Sequence, residues 1–306
     1  MAINGLDRAQ APAAKQAKQM LEAVDGRWWN VYIGGPESGG SGWSPALVKS
    51  YADQGIRRFM LTYVGRQKGG PLTRQQGRAD GREALRIAKS YGYKSGVPLC
   101  LDVELPTFQS APSATVEYAH GWCERVREGG MRPGIYANPA PLEAMAKAKV
   151  PADFVWVASW VSHGAGARNP HDAPGVPSNL WGKPGQRAWQ YAGEYGGTPC
   201  RVGGLDVDIN VADPGCLAGP PGRQKEANGR PPKFPGRPLR RGSWGDDVEL
   251  WQQRMKDRGW HIDVSGRYDA GSEKVCSGFQ KEKALEVTGH VDRKTWSASW
   301  RSPVTP

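Results

Sequence analysis

Two carboxylates two residues apart, Asp102 and Glu104, end an apolar run that begins at Val97. Were that run a β-strand, alternation would project both to one side, their Cα atoms about 6.6 Å apart at a rise of ~3.3 Å per residue. Two carboxyls that close do not ionise together easily, so one keeps its proton near neutral pH. A retained proton is what a general acid needs to act on a glycosidic oxygen. A salt-bridged pair and a metal-binding pair are the competing readings, although no His or third close ligand accompanies the two. Cys100 shares their parity and is expected to point inward as a filler.

Other chemistry-bearing residues also end apolar runs. Asp7 closes Ile3–Asp7, Tyr136 and Asn138 close a fifth run, and Trp160 follows a sixth. Gln190 and Tyr191 sit in a seventh, and Asp206, Asp208 and Asn210 close an eighth. Tyr32 and Tyr63 lie on the second and third. The expected strands are 3–7, 29–33, 58–64, 97–104, 132–137, 154–159, 187–191 and 204–210. Helical patterns fill 13–25, 45–53, 73–91, 113–128 and 140–148. Eight strands alternating with helices predict an α/β fold, a (β/α)8-type barrel with some helices missing among its last strands. An open doubly wound sheet is the alternative, weakened because no Gly-rich phosphate loop follows the first strand. In a barrel the strand ends form one rim, where active sites are built. Five carboxylates, several aromatics and two amides would meet there, without a plausible Ser/His triad.

Composition divides the chain. Seven prolines fall in the 25 residues from Pro214 to Pro238, which leaves neither helix nor central strand there. The expected organisation is a domain over 1–215, a linker over 216–237 and a second domain over 238–306. In the last, Val248, Trp251 and Met255, then Val275 and Phe279, then Trp296 and Trp300 form helical apolar stripes, so a small three-helix unit is expected. Within it VSGRYD (264–269) and VTGHVD (287–292) form a short repeat. Net charge is +11, and 230–306 contributes +5 of it (15 basic less 10 acidic). That balance suits a polyanionic partner such as a wall polymer, or serves solubility alone. The absence of a dense basic block argues against nucleic acid. Five scattered cysteines make no metal spacing and suggest reduced thiols, with a Cys200–Cys216 pair as the less favoured alternative. No run reaches the ~20 apolar residues of a membrane span.

The motifs Gly5-Leu-Asp7 with Gln10, Leu101-Asp-Val-Glu104, Gly134-Ile-Tyr-Ala-Asn138, Trp156-Val-Ala-Ser-Trp160, Ala188-Trp-Gln-Tyr191 and Val207-Asp-Ile-Asn210 occur in order. Together they make the first domain resemble the glycoside hydrolase family 25 lysozymes and their actinobacterial glycoside hydrolase-like relatives. The resemblance implies Glu104 as the acid with Asp102 beside it, and Asp7 and Asp208 as carboxylates at the cleaved bond. Asp206, Tyr32, Tyr63, Tyr136, Asn138, Trp160, Gln190 and Tyr191 would line sugar subsites, and no metal or other cofactor is implied. Two departures stand out. Arg8-Ala9 lies where a serine is common two residues after the aspartate, and Leu105-Pro106 follows the glutamate where a small or polar residue is usual. The second domain is similar to three-helix peptidoglycan-binding domains, through Leu239-Arg-Arg-Gly-Ser, Phe279-Gln280, Thr295-Trp296 and the two repeats. The combination resembles a phage endolysin of an actinobacterial host. Such a protein would be a monomeric muramidase made in the host cytoplasm without a signal peptide, exported through a holin pore, and acting on peptidoglycan. A wall-binding protein whose barrel has lost catalysis is the rival reading.

Overall fold

The computed structural model describes residues 2–38, 42–67, 70–162, 168–175, 181, 183–194, 198–220, 234–243 and 246–304. The chain forms two compact units, Met1–Gln224 and Lys225–Pro306. Most of the Pro-rich stretch, 221–233, lies outside the described residues.

In the first unit eight strands close a barrel. Seven of them are β1 (Ile3–Asp7), β2 (Gly26–Gly34), β3 (Arg58–Val64), β4 (Pro98–Asp102), β5 (Arg132–Ala137), β6 (Phe154–Ser162) and β7 (Arg187–Ala192). Each pairs in parallel with its sequence neighbour. The expected eighth strand is instead divided. A two-stranded ribbon of β8 (Arg201–Val202) and β9 (Leu205–Asp206) precedes β10 (Asp208–Ala212). β10 inserts between β7 and β1 and runs antiparallel to both. This corrects the (β/α)8 expectation to seven parallel strands and one reversed. A parallel return needs a long crossover, usually a helix. Among the described residues no helix joins β7 to β10, so β10 begins at the rim where β7 ends.

Six helices lie among the described residues of this unit: α1 (Ala14–Ala23), α2 (Pro45–Asp53), α3 (Arg74–Ser90), α4 (Leu105–Ser110), α5 (Pro112–Glu128) and α6 (Pro139–Lys147). Ser44 and Thr73 cap α2 and α3 by accepting from Leu47 N and Gln76 N. Helix α4 was not expected. Pro106 sits in its first turn, where a missing amide hydrogen costs nothing.

Strand alternation divides the core. Leu6, Trp29, Val31, Leu61, Ile135 and Val157 pack in the same cluster as helix residues such as Leu21 and Trp122. Ile3, Trp28, Met60, Cys100, Phe154 and Trp156 form a second cluster, on the inward parity. Higher on the same parity the residues turn polar: Thr62, Asp102, Gln190 and Asn210 are all buried. Helices α3 and α5 approach closely. A Cβ on Gly77 would lie 2.0 Å from Tyr118 O, and one on Gly121 2.0 Å from Arg74 O. Buried Asp80 joins them, accepting from Tyr118 Oη (2.8 Å), Gln76 Nε2 (2.7 Å) and Arg66 Nε (2.9 Å).

The second unit contains α7 (Asp246–Asp257), α8 (Ala270–Glu282) and α9 (Arg293–Arg301). Leu239, Val248, Trp251, Met255, Phe279 and Trp296 are among its core. Both copies of the repeat are closed in the same way. Gln252 donates to Arg267 O and Ser272 Oγ and accepts from Gly266 N. Gln280 donates to His290 O and Thr295 Oγ1 and accepts from Thr288 N and Gly289 N. Asp269 and Asp292 then cap α8 and α9. All five cysteines are free and buried, Cys200 and Cys216 included. Among the described residues no helix is long and apolar enough to cross a membrane.

Gly77→Ala is expected to destabilise the first unit by roughly 1–3 kcal/mol, since its Cβ meets backbone that cannot move aside. The midpoint of urea unfolding, followed on the full chain, checks this.

Candidate active site

The reversed strand decides the centre of the rim. Antiparallel pairing sets Asp7, the last residue of β1, directly opposite Asp208, the first of β10. Side chains so paired have Cβ atoms about 4.5–5.5 Å apart. Asp7 is 1% exposed, and two like charges there need support. Gln190 of β7 donates through Nε2 to Asp7 Oδ2 (3.0 Å) and to Asp208 Oδ2 (3.1 Å). Asn210 Nδ2 donates to Asp7 Oδ2 (2.8 Å) and Tyr32 Oη to Asp7 Oδ1 (3.1 Å). Behind them, Trp156 Nε1 donates to Asn210 Oδ1, and Tyr136 Oη and Trp160 Nε1 both donate to Gln190 Oε1, each at 2.9 Å.

The carboxyls differ in their surroundings. Burial raises Asp7, and the hydrogen bonds from Gln190, Asn210 and Tyr32 oppose that rise. Asp208 has less such help. Burial first, then the charges of Asp7 and Glu194, push it up to about 8. Asp102 is pushed well up by burial, then by Glu104 and Asp7, and its Oδ1 is buried with no hydrogen-bond partner. Burial also raises Glu104. Glu104 lies just past β4 as the residue before α4. The phenol of Tyr136 is pushed well up by burial and then by Asp102, Asp7, Glu104 and Asp208. Four carboxyls therefore lie near enough to act on one phenol.

A cleft of about 460 Å³ opens over part of this rim, with Asp7, Arg8, Gln10, Trp160, Glu194 and Asp208 in its lining. Trp160 is 39% exposed, so its ring can meet a ligand while its N–H stays bound to Gln190. Asp206 also lines the cleft, but its carboxylate pairs with Arg201 at 2.7 Å on the ribbon. Gly193 lets the chain pass close to the acid, because a Cβ there would lie 2.3 Å from Asp208 Oδ1. Among the described residues no group of three or more His, Cys, Asp or Glu could hold a metal ion.

Several expected subsite residues are placed elsewhere. Tyr63 and Tyr191 are fully buried in the layer between strands and helices. Tyr63 Oη donates to Glu83, and Arg168 stacks over Tyr191 at 5.7 Å. Both are one residue out of step with inward-facing Thr62 and Gln190, so alternation turns them away from the rim. Asn138 precedes α6, and its side chain donates to Ala158 O, tying β5 to β6. Gln190 is 2% exposed and fully engaged with protein groups. Glu194 is a site residue that the sequence did not single out, and Asn210 was placed at the rim without a role. Asn210 was visible within its motif, but Glu194 follows a strand in a Gly-rich stretch with no distinguishing pattern.

A family model for the Rv2525c-like, glycoside hydrolase-like domain matches residues 21–212. The chain belongs to that family. The matched span contains Asp102, Glu104, Gln190 and Asp208 and begins after Asp7. A second model, for a peptidoglycan binding domain, matches residues 245–298. The protein thus joins a glycoside hydrolase-like domain to a peptidoglycan-binding domain. No curated protein matches the sequence. Among solved structures, an uncharacterized protein of B. stearothermophilus is 22% identical, covering 71% of this chain and all of its own, with a TM-score of 0.51. The catalytic domain of endolysin ply40, from bacteriophage P40 of Listeria monocytogenes, is 18% identical, covering 69% of this chain and 93% of its own at a TM-score of 0.47. GHIP, a glycosyl hydrolase 25 of Streptococcus pneumoniae, is 14% identical, covering 69% and 87% at 0.46.

The raised Asp208 carboxyl fixes a sign for stability. The folded chain holds that proton up to about pH 8, whereas the unfolded carboxyl releases it near 3.8. Between those values the folded state binds more protons, so stability falls as pH rises. Asp208→Asn is expected to flatten this decline and to be more stable than wild type at pH 8, by on the order of 1 kcal/mol. Urea midpoints of both proteins at pH 5 and pH 8 test it.

Proposed function

We propose that the protein is a peptidoglycan hydrolase of the muramidase type. It would cleave the glycan strand between N-acetylmuramic acid, or its N-glycolyl form, and N-acetylglucosamine. The observation that carries this reading is the set of four carboxyls near Tyr136, in four different settings. Glu104 is half-buried, and no hydrogen bond to its carboxylate occurs among the described residues, so it is free to reach a ligand. It would protonate the departing glycosidic oxygen, its raised affinity for a proton keeping it loaded. Asp7, which accepts from three donors, would in its ionised form stabilise oxocarbenium character at the anomeric carbon. Asp208 and Asp102, both with raised proton affinity, would instead hydrogen-bond and orient the substrate N-acyl group as an internal nucleophile. Trp160 offers a flat apolar face to a sugar ring.

The peptidoglycan-binding domain supports the same substrate. A binding module joined to a catalytic one raises the effective concentration of the cleft at its polymer, commonly by about 10²-fold or more. We extend the proposal to lysis of a bacterial host by a monomeric phage endolysin released through a holin pore.

Purified protein is expected to expose new reducing ends on muramic acid when incubated with peptidoglycan. Glu104→Gln is expected to lose about 10²–10⁴-fold in rate while its binding to intact walls is unchanged. Mass spectrometry of the products and a wall-pelleting assay measure the two. Equal release by both proteins, or new amines in place of reducing ends, overturns the assignment. Binding by both with hydrolysis by neither would favour the wall-binding reading.

A further inference from the structure

The Gln190 amide can be oriented without ambiguity, and the orientation has a consequence for the acids below it. An indole N–H can only donate. Trp160 Nε1 lies 2.9 Å from one end of the Gln190 amide, which identifies that end as the oxygen, and Tyr136 Oη donates to the same atom. The other end is therefore NH₂, with its two hydrogens directed at Asp7 Oδ2 and Asp208 Oδ2. The same logic orients Asn210: Trp156 Nε1 marks its oxygen, so its NH₂ also faces Asp7 Oδ2.

Neither oxygen that receives these N–H groups can carry a proton aimed back at them. Asp7 Oδ2 accepts twice, and Tyr32 Oη occupies Asp7 Oδ1. Asp208 accepts from Gln190 at Oδ2, and its Oδ1 has no hydrogen-bond partner among the described residues. We propose that Gln190 is a positioning residue: by giving one N–H to each Oδ2 it bars a proton from the space between the two carboxyls, and with Asn210 and Tyr32, which donate to Asp7 alone, it leaves Oδ1 of Asp208 as the place for the proton of the opposed pair. The pair then has one defined arrangement, with an acid O–H at the cleft beside a carboxylate. Trp160 takes part in this arrangement because its N–H is one of the two donors that stop the amide from turning over. The inference deepens the glycosidase reading, since it assigns distinct roles to two acids of that site, but it can be measured without turnover.

The other ionisable groups facing the pair are few. Tyr32, Asp102 and Tyr136 face Asp7 from β2, β4 and β5. Glu194 and Cys200 face Asp208, and Arg8 lines the same cleft. None of these donates two directed hydrogens across the pair.

The test is a carboxyl-detected NMR titration of the full chain labelled with ¹³C-aspartate, with Asp7→Asn and Asp208→Asn used to assign signals. Such a pair loses protons in two macroscopic steps, and each ¹³C shift reports which carboxyl changes at each step. In wild type Asp208 is expected to keep its proton to higher pH than Asp7, with each step reported by one carboxyl. Gln190→Met, which lets one proton bridge the two Oδ2 atoms, is expected to make both ¹³C signals move together in each step. The double variant Tyr136→Phe/Trp160→Phe retains Gln190 but removes both donors from its oxygen, and is expected to merge the responses of the two signals in the same way. A merely structural role for Gln190 would leave the double variant titrating like wild type. That result, or Asp7 as the later member of the pair in wild type, overturns the proposal. If Gln190→Met fails to fold, the double variant decides alone. Absence of new reducing ends from wild type would count against the glycosidase reading and leave the titration result standing.

Discussion

Everything at the rim depends on one cross-strand pair. Because β10 enters the barrel reversed, its first residue meets the last residue of β1, and both are aspartates. Like charges directly opposed on adjacent strands repel, and burial increases the cost of ionising either. The surrounding sequence answers that cost. Two buried amides, Gln190 and Asn210, turn their NH₂ groups on the pair, and three aromatic N–H or O–H groups hold the amides in that sense. Trp156, Tyr136 and Trp160 thus do more than fill space. They decide which end of each amide the carboxyls meet.

The barrel interior is graded to allow this. At one end Trp28, Met60, Phe154 and Trp156 provide an apolar floor, whose two indole N–H groups are both hydrogen-bonded. Trp28 and Trp156 meet edge to face with ring centres 6.1 Å apart; Trp28 Nε1 donates to Ile3 O within the floor, and Trp156 Nε1 to Asn210 in the polar layer. The polar layer is costly on its own: Asp102 Oδ1 and Asn30 Nδ2 are buried without partners. A site that keeps protonated acids at neutral pH is built from such unfavourable placements, and the apolar floor and the packed helix layer offset them.

The C-terminal unit uses buried amides for a different purpose. Gln252 and Gln280 each close one copy of the repeat by bonding backbone on both sides of its glycine. In a unit this small the hydrophobic core is limited, so two saturated glutamines fix loops that packing alone would leave loose. Arg258 serves the same end at the far side, donating to Ser302 O and Pro303 O beyond α9.

Strand positions were legible because apolar runs broken by glycine and proline report them directly: Ile3–Asp7, Arg58–Val64 and Arg132–Ala137 lie where the pattern places them. The helical stripe of Trp251, the helical pattern of α3 and the repeat in the C-terminal unit were legible for the same reason, since each is a local periodicity. Local pattern also contained more than was first taken from it. Strict alternation assigns Tyr63 and Tyr191 to the helix-facing side, and both are buried there. Strand direction could not be read locally, because a run of apolar residues looks the same in either sense. Only closure of the barrel, with no helix among the described residues to return the chain after β7, reversed β10 and brought Asp208 opposite Asp7. The orientation of Gln190 was likewise a tertiary matter, since an amide is symmetric to the eye of a sequence. Its direction is set by an indole thirty residues away that has a hydrogen to give and no lone pair to offer.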